Sequence, residues 1–69
     1  MMTNKELLAR RASAKYLNSV SFSIQDHASD EGWIAAQIKI AEADVAHNNG
    51  EYDLARTLID QAHAIAFPA

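Results

Sequence analysis

The chain has 69 residues, 49% apolar and 22% charged, with a net charge of −3. That length holds one domain, 1–69, and the lack of cysteine excludes a disulfide framework and any thiolate metal site. The apolar fraction is too high for a disordered tail, no apolar run reaches the ~18 residues that span a bilayer, and no signal-peptide core opens the chain, so a globular cytoplasmic module is expected.

Pro68, Gly32 and Gly50 are the only helix breakers, against fourteen alanines, so the chain reads as helix nearly throughout. The first helix is predicted over about 4–24. Thr3 or Asn4 can cap it, and Thr3 with Glu6 has capping-box spacing. Ala9, Ala12, Tyr16, Leu17, Val20 and Ile24 would face inward. The opposite side carries Leu7, Arg11, Lys15, Asn18 and Phe22, two large apolar residues bracketing two cations. Within it, Asn18-Ser19-Val20-Ser21-Phe22-Ser23-Ile24 alternates like a strand. A lone short strand has nothing to pair with unless a second chain supplies it, so helix is the reading.

A break follows at Asp26–Gly32, where Ser29 or Asp30 can cap a second helix over about 30–48. This helix has two apolar stripes: Ile34, Ile38, Ala41 and Val45 on one side, and Trp33, Ala36, Ile40 and Ala43 on the other. Lys39, Glu42 and Ala46 are left outward. A helix apolar on two sides wants two partners and should be central. His47-Asn48-Asn49-Gly50 then reads as a helix stop with a left-handed glycine. The third helix, about 51–66, places Leu54, Ala55, Leu58, Ile59, Ala62, Ile65 and Ala66 on one face, with Asp53, Arg56, Asp60 and His63 on the other.

The fold class is therefore all-α, three helices in a hairpin or bundle. So short a chain buries only about 60% of its unfolded surface, so a homodimer is expected to complete it. Leu7, Trp33 and Ile40 are the candidate seam residues.

Charge divides the chain. Through Ile24 the net charge is +3, from Lys5, Arg10, Arg11 and Lys15 against Glu6. Beyond it the net is −6, from Lys39 and Arg56 against Asp26, Asp30, Glu31, Glu42, Asp44, Glu51, Asp53 and Asp60. Packing of the basic element on the acidic ones inside the chain is the expected use, with steering toward a charged partner or pairing across a dimer as alternatives. For a partner protein, Arg11, Lys15 and Phe22 are the candidate contacts, with Arg10 and Trp33 as reserves.

Chemistry finds little support. There is no cysteine nucleophile, no Gly-x-Ser-x-Gly and no phosphate-cradling glycine loop, so no enzyme, catalytic residue or cofactor is expected. Asp44 with His47 and Asp60 with His63 have chelating i,i+3 spacing but lack further inward carboxylates, so no metal is expected. Arg10, Arg11 and Lys15 keep open a nucleic-acid-binding accessory role, weak and salt-sensitive.

Two resemblances add to this. Gly50-Glu51-Tyr52-Asp53-Leu54-Ala55, followed by Ile59, Ala62 and Pro68, resembles the second helix of a tetratricopeptide repeat over residues 43–68. That implies a helical adaptor module. The opening Met2–Arg11, the Gly32-Trp33 helix entry and the Gly50–Tyr52 hairpin together resemble the phage-encoded anti-activators of quorum sensing in Pseudomonas. This second resemblance implies a small homodimer acting in the host cytoplasm. It would bind a LuxR-type regulator, blocking its binding to DNA, and a pilus-assembly ATPase, and it assigns no individual residue a role.

Overall fold

A computed structural model describes residues 3–27 and 30–68 of the chain. Three helices, α1 (Asn4–His27), α2 (Asp30–Asn48) and α3 (Tyr52–Ala66), pack together as a bundle measuring 42 × 17 × 16 Å. α2 and α3 form the tightest pair, and α1 lies against both.

α1 opens as the sequence predicts. The Glu6 N–H donates to Thr3 Oγ1 at 3.1 Å, satisfying one of the free amides of the first turn. The helix runs past Ile24 to His27, three residues beyond expectation. The strand-like stretch is helical because helix serves burial better than alternation does. In a strand Val20, Phe22 and Ile24 would share a face; in the helix Leu17, Val20 and Ile24 enter the core while Phe22 turns to solvent. Ala12, expected inward, is exposed. The side chains of Ser29 and Asp30, predicted to cap α2, lie outside the described residues.

The α2–α3 turn is a complete Schellman motif. The Gly50 N–H donates to the His47 carbonyl at 3.0 Å, and the Glu51 N–H to the Ala46 carbonyl at 2.9 Å. Gly50 has φ +81°, the left-handed conformation that the Asn49-Gly50 pair predicts.

The core joins Leu17, Val20 and Ile24 of α1, Ala36, Ile40 and Ala43 of α2, and Ile59, Ala62 and Ala66 of α3. Tyr16, Leu58 and Phe67 pack on its margin. α2 is not the central helix that its two stripes imply. The Ala36–Ile40–Ala43 face serves both neighbours, and the Ile34–Ile38–Val45 stripe has neither. Ala46, expected outward, is buried beside the turn.

Two polar contacts fix α1 against the hairpin. Buried His47 Nδ1 lies 2.8 Å from Ser13 Oγ, with its ring against Tyr52. The Tyr16 hydroxyl donates to Asp60 Oδ1, and the Arg56 guanidinium sits 4.9 Å from the Tyr16 ring centre. That hydrogen bond, aided by burial and the carboxylate charge, raises the Tyr16 pKa above its usual 10.0, against an opposing effect of Arg56. Ser13 thus stands level with the end of α2. Ala9 and Ala12 face the start of α3, and ahead of them the side chains of Asn4 through Leu8 are all exposed.

Candidate interaction faces

At 100° per residue, Leu7, Leu8, Arg11, Lys15, Asn18 and Phe22 share about a third of the α1 circumference, opposite Leu17, Val20 and Ile24. All six are exposed, Phe22 at 66%. Arg10 is exposed as well, one step round toward the core side. Three of the five sequence-predicted partner contacts, Arg11, Lys15 and Phe22, therefore lie together on the outside of α1, while exposed Arg10 points about 100° away from Arg11. Trp33 is apart from them, on α2, at 41% exposure. Leu8 was missed in sequence because it falls outside the i,i+4 series that begins at Leu7.

The expected internal charge pairing does not form. Among the described residues the one ion pair is Lys39 with Glu42, 3.6 Å apart on α2. Lys5, Arg10, Arg11 and Lys15 reach no carboxylate among the described residues of α2 and α3. Asp60, the acid nearest to α1, is held by the Tyr16 hydroxyl.

The second uncovered face belongs to the hairpin. Ile34, Ile38 and Val45 are 65%, 57% and 61% exposed, with small Ala41 between them. On α3, Leu54 and Ile65 are also exposed, on the flank opposite Arg56 and Asp60 and so on the side turned away from α1. Monomeric proteins rarely expose contiguous apolar patches beyond a few hundred Å². Of the candidate seam residues, Leu7 lies on the α1 face and Trp33 on α2, both partly exposed. Ile40 is committed to the core of its own chain.

Between α1 and the start of α3 is a hollow of about 180 Å³, lined by Ala9, Ala12, Tyr16, Tyr52, Asp53 and Arg56. Its alanines leave the space, and across it the Arg56 guanidinium lies over the Tyr16 ring, whose hydroxyl is taken by Asp60. Three of the four residues with chelating spacing take other partners: His47 meets Ser13, Asp60 meets Tyr16, and His63 packs on Phe67. No helix among the described residues is long and apolar enough to cross a membrane.

Compared with known proteins, the chain matches no family model, no curated protein and no solved structure.

Proposed function

We propose that this chain is a small non-enzymatic protein that binds and inhibits a host protein as a homodimer, acting by occlusion. The observation that carries this reading is the pair of uncovered faces, one basic and apolar on α1, the other apolar on the hairpin. Folding of one chain uses neither. The resemblance to phage anti-activators gives the reading its named targets, a LuxR-type regulator kept from DNA and a pilus-assembly ATPase.

The hairpin face suits a second copy. Ile34, Ile38, Ala41 and Val45 repeat at intervals of 4, 3 and 4, the a/d spacing of a coiled coil. Packed antiparallel on itself, α2 sets Ile34 against the second copy's Val45, and Ile38 against its Ala41, large against small. The flanks agree. Gln37 meets Asp44 and Ala35 meets Glu42, so no carboxylate faces another. This reading puts the seam at Ile34, Ile38 and Val45, with Ile40 already in the core of its own chain.

Light scattering tests the dimer. Wild type should give twice the 7.6 kDa chain mass, and Ile38→Asp should give a monomer with unchanged helicity, because Ile38 lies outside the intramolecular core. A wild-type monomer at micromolar concentration refutes self-association.

The unpaired cations of α1 favour a second reading, a nucleic-acid accessory role. Phosphate contacts give affinity a steep salt dependence, and loss of the complex on nuclease treatment tells a nucleic acid from an acidic protein partner.

A further inference from the structure

We infer that the outer face of α1 docks an acidic helix of another protein, which presents carboxylates between two apolar sockets. This rests on the partner-binding reading above and specifies the chemistry of what binds.

Four observations meet on that face. Arg11 and Lys15 stand at its centre, one turn and about 6 Å apart, with no carboxylate of the described residues in reach. Leu7 and Leu8 lie at one end and Phe22 at the other, about 22 Å away, all exposed. The side chains of the first turns, Asn4 through Leu8, are all exposed, so a long partner element meets no obstruction there. Asp26 follows Phe22 by one turn on the same face and is exposed, confining the cationic stretch to the part before Phe22.

The order of these residues selects among anionic partners. A lipid surface takes an amphipathic helix whose cations flank a continuous apolar stripe. Here the cations interrupt the stripe, and seating Leu7 and Phe22 in acyl chains would drag Arg11 and Lys15 with them. A nucleic-acid backbone satisfies the cations but leaves Leu7, Leu8 and Phe22 in water. A helix with carboxylates four residues apart and apolar contacts beyond them covers both kinds of group at once. Arg11 can take a carboxylate bidentately and Lys15 as a point charge.

The test is photo-crosslinking in cells expressing the full chain, with benzoylphenylalanine placed at Asn18, between Lys15 and Phe22. A second chain carries it at Ile38. The expected Asn18 adduct is a protein segment bearing carboxylates four residues apart with large apolar neighbours. Its yield should fall at least tenfold in R11E/K15E, with helicity retained. An Asn18 adduct to a basic or uncharged segment, a nuclease-sensitive adduct or a lipid adduct overturns the inference. So does an adduct to a second copy of this chain. A foreign protein captured at Ile38 but none at Asn18 overturns it while sparing the partner-binding reading. No foreign adduct at either position overturns both.

Discussion

Gly50 offers the cleanest test of the hairpin, because its environment isolates one physical effect. Its φ is +81°, and a Cβ built there meets nothing within 4 Å. Steric collision with neighbours therefore contributes nothing to a substitution, and the cost is that of the left-handed backbone alone. For an L-residue that cost is about 1–2 kcal/mol. Gly→Ala also narrows the unfolded ensemble, which returns about 0.4–1 kcal/mol where the new residue fits without strain. Gly50→Ala should then destabilise by about 1 kcal/mol net. In a domain of this size, 1 kcal/mol lowers Tm by roughly 4–8 °C. Gly50→Val should cost more, since a β-branched residue is still less tolerant of positive φ. Gly50→Asn should cost less than Ala, because Asn enters that region more readily. The assay is a far-ultraviolet circular dichroism melt of all four proteins at one fixed concentration, since self-association makes Tm depend on concentration. A Gly50→Ala melt superimposable on wild type would show that the turn does not hold the left-handed conformation. Equal losses for Ala and Asn would show that something other than backbone geometry is being measured.

Other substitutions probe the remaining contacts. Ile59 is fully buried at the centre of α3, so Ile59→Ala should cost about 2–5 kcal/mol, enough to unfold much of so small a protein; chemical denaturation measures it. Ser13→Ala removes the hydrogen-bond partner of buried His47 and should cost about 1–3 kcal/mol in the same assay; a neutral result would mean that water replaces the hydroxyl. The raised pKa of Tyr16 marks its protonated form as the one favoured by the fold. Its contribution to stability is therefore full below pH 10 and is lost as pH rises through the folded-state value. Tyr16→Phe should flatten the alkaline limb of a stability–pH profile, and an unchanged limb would place the hydroxyl outside the Asp60 hydrogen bond.

The helices, the start of α1 and the end of α2 were legible in the sequence because local chemistry decides them, whereas the end of α1 fell three residues beyond expectation. Thr3 caps α1, Asn49-Gly50 ends α2, and alanines without interrupting proline or glycine fill the space between. The α1 face was legible for the same reason, since spacing alone aligns Leu7, Arg11, Lys15 and Phe22. What spacing could not reveal was whether the cations were already neutralised. That depends on where the acidic helices turn their carboxylates, and Asp60 proves to be engaged by Tyr16. The choice between the two stripes of α2 was also hidden. Ile38 and Ile40 are the same residue two positions apart, about 200° round the helix, and hydrophobicity cannot rank them. Side-chain volume can. The buried stripe includes Ala36 and Ala43, and it meets Ala62 and Ala66 of α3. Small residues on both helices let the axes approach closely, so three short helices close a dense core around few large side chains. The bulkier stripe of Ile34, Ile38 and Val45 would hold the helices apart and leave gaps that α1, with Leu17, Val20 and Ile24 on its inner face, has no further bulk to fill. Turning that stripe outward is thus the better-packed solution for one chain. It leaves the most hydrophobic face of α2 free for a neighbour that brings bulk of its own.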